Sequence, residues 1–381
     1  MNLRLSDITA LLHGWYDPGW AADWDAVGLV CGDPDQPVDR VLFAVDPAAS
    51  VVDEAVAWGA DLLVCHHPLL LSPVHGVAAT TPKGRLVHQL VRAGVALLTA
   101  HTNADVPADG VNESLARAVG IVEPQVVLDE DDQRLDKLVV FVPHEHADAV
   151  RRAVTAAGAG AIGDYDQCTF TATGEGRFRP LAGAEPALGR VGELEVVAES
   201  RVECVFPRHL RRHVVESLRA THPYEEVAYD VTELAVSPGP QASTRGHGRV
   251  GRLEKPTTLR QFVQRVRTAL PATAHGIRVA GDPERRVETV VVGSGAGDFM
   301  LEAVLHTNAD VYLTSDLRHH RAGEFLEYGG PALVDVAHWA AEWTWLPVVE
   351  RKVRDAVRDR DATVETRVSE LVTDPWTFRV D

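Results

Sequence analysis

The sequence has few of the residues that build a disulfide framework or a structural zinc site. Its 381 residues include four cysteines, and no two of them form a CxxC pair. Cysteines this few and scattered do not staple a chain of this length, so we expect free thiols in a reducing compartment. A structural zinc site, which relies on thiolates, is not indicated. The cysteines are Cys31, Cys65, Cys168 and Cys204.

Long apolar stretches are also missing. Runs such as residues 94–100 and 287–292 are well short of the roughly 18 residues that a membrane span requires. Residues 1–7 lack the charged segment and following apolar segment of a signal peptide. We therefore expect a cytoplasmic protein with no membrane partner.

Positive charge is scarce. The formal net charge is −18, and no dense run of lysine and arginine interrupts the acidic composition. Such a chain repels a phosphate backbone, which argues against nucleic acid as a partner. The content of 45% hydrophobic and 24% charged residues is typical of globular proteins, and the length predicts two domains.

Short apolar runs alternate with helical patterns in the first 125 residues. This alternation predicts a mostly parallel sheet covered by helices. It returns after residue 245, so the two ends of the chain resemble two halves of one α/β core. The predicted strands are 41–45, 61–65 and 95–99, then 287–292, 310–314 and 332–336; the predicted helices include 49–58, 83–93 and 298–306.

Two internal echoes support a duplication. Residues 59–65 resemble residues 308–314, and the sequence His-Thr-Asn-Ala-Asp-Val occurs at both 101–106 and 306–311. Asp310 precedes a predicted strand, whereas Asp105 follows one. Because ligands bind at the carboxyl ends of strands in open α/β sheets, we predict Asp105 alone as a ligand and Asp310 as a strand-entry residue.

The middle of the chain follows another pattern. Two segments, 138–157 and 202–220, each consist of a strand, a proline and an amphipathic helix. With further strands at 168–173 and 227–232, they predict a ferredoxin-like α+β domain. We place this insertion at 130–238, within a discontinuous core formed by 1–129 and 239–381. Residues 237–243, rich in proline, glycine and serine, are predicted to be the exit linker.

Histidines and carboxylates cluster after the predicted strands. His66 and His67 follow one strand and Asp105 another, while His338 and Glu342 are four apart on a helix that follows a third. This mixture of imidazole and carboxylate suits divalent zinc, iron or manganese, and five such ligands are enough for two ions that lower the pKa of a bound water. Ordinary core or surface roles for these residues remain open.

Asp316, His319 and His320 follow the strand at 310–314 and face the same predicted crevice. They are candidates for orienting ligands or moving protons, with a polar helix face as the alternative. The glycine-rich segment 293–297 does not fit the dinucleotide-binding spacing GxGxxG. A loop that packs closely or holds an anion is the better interpretation.

In this combination and order, the motifs resemble the NIF3 family over nearly the whole chain. The resemblance implies a NIF3-like fold with a dinuclear metal centre on His66, His67, Asp105, His338 and Glu342. It also implies a toroidal homohexamer, and the middle domain is similar to the PII- and CutA-like insertion of longer members. The motifs are residues 24–29, 60–68, 101–105, 293–295, 314–316 with His320, His338 with Glu342, and, in the insertion, 221–230.

Members of that family bear the name GTP cyclohydrolase 1 type 2 homolog. The resemblance thus implies a metal-dependent hydrolase acting on a nucleotide, with His101, His320 or Asp316 assisting proton transfer. Two alternatives remain. One is a non-enzymatic hexamer that senses a metal or small molecule through its insertion, and the other is a two-metal phosphoesterase. The sequence supplies no substrate by itself.

Overall fold

The computed structural model describes residues 3–129, 135–163, 165–234 and 244–380. Its strands are β1 (Gly28–Cys31), β2 (Arg40–Ala44), β3 (Leu62–Cys65), β4 (Ala96–Thr99), β5 (Ile121–Asp129), β6 (Leu135–Pro143), β7 (Thr169–Phe178), β8 (Glu195–Pro207), β9 (Tyr229–Glu233), β10 (Gly246–Thr258), β11 (Ile277–Ala280), β12 (Arg286–Ala296), β13 (Val311–Ser315), β14 (Ala332–Val336) and β15 (Glu365–Val368). Its α-helices are α1 (Leu5–Trp15), α2 (Ala49–Trp58), α3 (Pro82–Ala93), α4 (Thr102–Asp105), α5 (Val111–Ala118), α6 (Ala147–Ala156), α7 (Arg211–Thr221), α8 (Leu259–Ala269), α9 (Leu301–Leu305), α10 (His319–Glu327), α11 (His338–Trp343) and α12 (Leu346–Arg358).

The chain divides into two compact units. The core unit comprises Met1–Glu130 and Ser243–Asp381, and the insertion unit comprises Asp131–Ala242. The predicted linker at 237–243 lies outside the described residues. None of the helices in the described ranges combines the length and the apolar character that crossing a bilayer would require.

The core unit contains two mixed sheets. In the first, with strand order β1-β4-β3-β2-β15, four strands are parallel and β1 pairs with β4 in the antiparallel direction. The second sheet has the order β11-β14-β13-β12-β10-β5. Its strands β14, β13 and β12 are parallel, whereas the pairs β11–β14, β12–β10 and β10–β5 are antiparallel. The α/β class is confirmed, although the antiparallel edges make the sheets less parallel than the alternation suggests.

The two sheets repeat one arrangement. β2, β3 and β4 correspond to β12, β13 and β14, because each trio is parallel and each has an antiparallel strand, β1 or β11, beside its last member. The residues that enter the middle strands also correspond. Oδ2 of Asp61 accepts two backbone N–H groups near the start of β2, and Oδ2 of Asp310 accepts two near the start of β12, all at 2.8–2.9 Å. Asp310 is thus a strand-entry residue, as its sequence position indicates.

One hydrophobic cluster joins the two sheets of the core unit. The central strands are apolar on both faces, and β13 and β14 are buried at every position. Helix α12 buries one stripe, formed by Leu346, Val349, Val353 and Val357, at the spacing expected of an amphipathic helix. Trp345 is fully buried before it and donates its Nε1–H to the hydroxyl of Tyr16 at 3.1 Å.

The insertion unit is a four-stranded antiparallel sheet with order β7-β8-β6-β9. Its elements run β6, α6, β7, β8, α7, β9 along the chain, which is the ferredoxin-like arrangement. The helices α6 and α7 pack through Val150, Val154, Val214 and Leu218 on one sheet face. The predicted helix at 298–306 differs in detail, since a 3-10 turn at Gly297–Met300 precedes the short α9.

Candidate metal centre

The predicted ligands meet at the carboxyl ends of β3, β4 and β14. After β3 the backbone stays in register with its neighbour, because the N–H groups of His66 and His67 donate to the carbonyls of Ala44 and Val45 at 3.1 and 2.8 Å. Asp105 ends α4, which follows β4, and His338 begins α11, which follows β14. Both halves of the duplicated core therefore supply side chains to one crevice.

Glu342 is the centre of the cluster. Its Oε1 lies 2.9 Å from Nε2 of His338, and its Oε2 lies 3.0 Å from Nε2 of His67. Nε2 of His66 lies 3.5 Å from the same Oε1 and 3.7 Å from Oδ1 of Asp105. Glu342 is 2% exposed, so a single buried carboxylate faces three imidazoles.

His101 also belongs to the cluster, with its ring centroid 5.1 Å from that of His66. Each of the four imidazoles has its Nδ1 bound to an oxygen that can only accept a hydrogen bond. Each Nδ1 must therefore carry the proton, which leaves the Nε2 of a neutral ring with a free lone pair. This is the tautomer that ligates metal ions, and a carboxylate or carbonyl partner is what usually fixes it. The acceptors are the carbonyl of Ala100 for His66 (2.9 Å), Asp46 for His67 (2.7 Å), Asp25 for His101 (2.8 Å) and Asp316 for His338 (2.7 Å).

The carboxylates and imidazoles of the crevice shift one another's pKa values. Burial works against protonation of His67, but Glu342 and Asp46 outweigh it and raise its pKa to about 10. Glu342 likewise raises the pKa of His338 to about 11. Burial opposes ionisation of Glu342, yet the facing imidazoles hold its pKa well below the usual range. Negative charge in this crevice thus attracts positive charge, which protons supply when no other cation is bound.

The donor set fits divalent metal ions. Nε2 of His66 is buried without a hydrogen-bond partner among the described residues, a costly arrangement that a bound ion would relieve. Two groups of ligand atoms, each within 4.8 Å, share His67. All the donors are nitrogen or oxygen, because the Cys65 thiol packs in a hydrophobic cluster. The groups are His66, His67 and His101, and His67, His338 and Glu342.

The glycine-rich segment brings its backbone close to the cluster. Gly295 has φ +66°, and a Cβ at this position would lie 2.9 Å from Oε1 of Glu342 and 3.5 Å from Nε2 of His338. Any side chain here would enter the cluster, so the close backbone approach requires glycine. The neighbouring Ser294 hydroxyl donates to Oδ1 of Asp105 at 3.4 Å.

The structure does not bring every predicted residue to the cluster. Asp316 contacts His338, in the orienting position that the sequence suggests. His320 is exposed on α10, and its ring contact within the described part of the chain is with His319. No contact between described residues connects His320 to the ligands, so its catalytic role stays a prediction.

Three residues take part in the cluster in ways that the sequence did not predict. His101 was assigned to proton transfer, but it stands among the candidate ligands; Asp25 and Asp46 were not singled out at all. A signal for His101 existed. It precedes Asp105 by four residues as His338 precedes Glu342, and the two pairs follow the corresponding strands β4 and β14.

Asp316→Asn tests the orienting carboxylates. Asparagine tolerates the positive φ (56°) at this position, but it binds the Nδ1–H of His338 less strongly and can present its NH₂ instead. We expect metal affinity to fall about 10- to 100-fold, as measured by competition with a chromogenic chelator. Asp35→Asn, at an exposed ion pair with Arg4, is the matched control and should leave affinity unchanged. Equal affinity in the two variants would contradict an orienting role.

Known proteins resemble the chain over its whole length. The profile of Duf34/NIF3 (NGG1p interacting factor 3) matches residues 3–375. A Mycobacterium tuberculosis protein named GTP cyclohydrolase 1 type 2 homolog is 49% identical, covering 99% of this chain and 97% of its own length. The Bacillus subtilis protein of the same name is 37% identical, covering 97% of each chain.

Solved structures agree with the sequence relatives. A Bacillus cereus protein related to NIF3 superimposes with a TM-score of 0.67 at 35% identity, covering 100% of both chains. The Staphylococcus aureus protein SA1388, at 23% identity and 99% coverage of both chains, shares the fold with a TM-score of 0.69. On the profile match, the sequence identity and the shared fold, this chain belongs to the Duf34/NIF3 family.

Proposed function

We propose that the chain is a metal-dependent hydrolase that holds two divalent ions and acts on a nucleotide. Two overlapping groups of ligand atoms that share His67 carry this proposal, because one ion does not need both groups. The proposed ligands are the five predicted residues together with His101. The ions would supply Lewis acidity and a water whose pKa is lowered toward neutrality.

The protein's own contribution is preorganisation. The Nδ1 partners hold the four rings in one orientation, so the Nε2 atoms are in place before an ion binds and displaces any proton that they carry. Asp25 is central to this on the β4 side. Although burial opposes its ionisation, hydrogen bonds from His101 and Thr102 lower its pKa, so it remains a carboxylate that can orient His101.

Two observations support a nucleotide substrate: the names of the sequence relatives and an exposed tryptophan beside the proposed ligands. Curated relatives are named GTP cyclohydrolase 1 type 2 homolog. Trp24 is 61% exposed, and its ring centroid lies 5.9 Å from that of His101. An exposed indole beside the ligands offers a flat surface on which a purine base can stack. We propose GTP as the first substrate to test.

The function is tested by formate release. Protein loaded with zinc, manganese or iron(II) is expected to open the imidazole ring of GTP and release C8 as formate. His338→Ala should abolish formate release, because it removes a ligand without touching the rest of the cluster. Trp24→Ala should raise KM more than it lowers kcat, because it removes a stacking surface and no ligand.

The controls separate the alternatives. Equal formate release by wild type and His338→Ala would identify a contaminating enzyme and contradict the proposal. Phosphate release without formate would favour a two-metal phosphoesterase.

We also propose a toroidal homohexamer, the assembly that the family resemblance implies, and light scattering coupled to gel filtration would give its mass.

A further inference from the structure

The insertion unit contains a cavity of about 670 Å³ that belongs to no predicted site. Val140 and Val202 lie in the core beneath α6 and α7, whereas their chain neighbours Phe141 and Arg201 line the cavity. Because neighbouring residues of a strand point to opposite faces, the cavity lies on the sheet face away from the helices. Its volume suits a small organic ligand.

Small residues on β7 form the floor of this cavity. Ala172, Gly174 and Gly176 are successive residues on one face of the strand, and all three line the cavity. A Cβ on Gly176 would lie 2.1 Å from Oε2 of Glu199. The small residues of β7 therefore leave room for the carboxylate of Glu199, which lies against this strand.

Glu199 is a buried carboxylate in the lining of this cavity. It is 8% exposed, and its Oε1 accepts a hydrogen bond from the hydroxyl of Tyr224 at 2.9 Å. Within the described ranges no donor is bonded to its Oε2. Glu199 lines the cavity, so this oxygen is available to accept a hydrogen bond from a bound ligand.

The walls are held in place before any ligand arrives. His222 donates Nε2–H to the carbonyl of Phe141 at 3.0 Å and accepts the N–H of Tyr224 on Nδ1 at 3.1 Å. The carboxylate of Glu225 accepts the N–H of Glu185 at 3.1 Å, which ties the loop over the cavity to this segment. The conspicuous motif at 221–230 thus builds one side of the cavity.

The aromatic rings indicate a flat ligand, and the carboxylate of Glu199 indicates a positively charged one. The rings of Phe178 and Tyr224 are 5.7 Å apart in an edge-to-face arrangement. Faces of this kind beside a carboxylate attract a flat cation. Three arginines, Arg177, Arg179 and Arg201, also line the cavity. Arg177 and Arg201 are bonded to Glu175 and Glu203, and among the described residues no ion pair joins an arginine to Glu199.

We propose that this cavity binds a small organic cation with a flat apolar body and N–H donors, whose charged end pairs with Oε2 of Glu199. The proposal goes beyond the hydrolase function and involves none of the metal ligands. The binding of such a cation therefore stands or falls independently of the proposed chemistry.

Three isosteric probes test the proposal on the full-length protein by calorimetry. Benzamidine is a cation, benzamide is neutral and benzoate is an anion, so they differ in charge while their shape is nearly constant. We expect benzamidine to bind in the millimolar range or better, benzamide more weakly and benzoate not detectably. Glu199→Gln should weaken benzamidine by about 10-fold or more, the effect of losing a hydrogen bond to a charged group.

Glu216→Gln, at an exposed ion pair with Arg212 on α7, is the matched control and should bind benzamidine like the wild type, because α7 packs on the opposite face of the sheet. Far-UV circular dichroism of both variants verifies that the sheet is intact. If Glu199→Gln proves misfolded, Gly176→Ala gives the second test, because its methyl group displaces the carboxylate and should also abolish binding. The proposal is overturned if benzamidine does not bind, if benzoate binds equally well, or if folded Glu199→Gln retains wild-type affinity.

Discussion

Glu342→Gln is expected to abolish the metal binding that we propose for this cluster. The carboxylate contacts the Nε2 atoms of three histidines and is nearly inaccessible to solvent. A neutral amide of the same shape removes the negative charge that faces those imidazoles and directs an NH₂ group at one of them. Affinity should fall by more than the roughly 10- to 100-fold expected for an orienting carboxylate, as measured by elemental analysis after dialysis against a defined metal buffer.

His320→Ala serves as the control for Glu342→Gln. His320 belongs to another motif of the family resemblance, the one at 314–316, and is exposed on α10, so wild-type metal content is expected. The pair of variants also tests the residue's predicted role, since His320→Ala with full metal and no formate release would indicate proton transfer. Wild-type metal content in Glu342→Gln would refute the assignment of the centre.

Arg249→Met should produce the largest loss of stability. The guanidinium is 1% exposed, donates to four backbone carbonyls at 2.7–3.0 Å and lies 3.3 Å from Glu113. Two of those carbonyls belong to Val106 and Pro107, directly after Asp105. Removing the cation leaves the four carbonyls buried without their donor and leaves Arg117 as the remaining partner of Glu113, which costs about 3–5 kcal/mol.

Tryptophan fluorescence during urea unfolding measures this loss, because all eight tryptophans lie in the core unit. Arg252→Met is the matched control on the same strand. Its side chain is 74% exposed and 3.6 Å from Glu288, so a change of no more than about 1 kcal/mol is expected. If the two variants unfold at the same urea concentration, the buried network does not stabilise the core unit.

The parts of the fold that follow from local pattern were predictable. Strands such as β3 and β13 are short, apolar and buried on both faces, and this composition is visible in the sequence. The positions of His66 and His338 followed, because parallel strands bring their carboxyl ends to one edge. Asp310, in the second copy of the echo, lies at the entry of β13, as its position before a predicted strand indicates.

Features that depend on contacts between distant segments were not predictable. Asp25 and Asp46 act through hydrogen bonds to His101 and His67, and neither pair shares a helix or a strand. Arg249 lies in a strand where a charged residue ordinarily indicates a solvent-facing position. Its burial depends on carbonyls of the turn at 106–107, which only the folded chain places beside it.

The duplicated halves have a consequence for how the protein matures. His66 and Asp105 are synthesised early, whereas Glu342 is added near the end of the chain, with the whole insertion unit between them. Contacts of such long sequence separation form late in folding. The first half alone offers an incomplete ligand set, so tight metal uptake should coincide with the docking of the second half. In a refolding experiment, the ion would then report the last step of folding, because binding and completion of the core are one event.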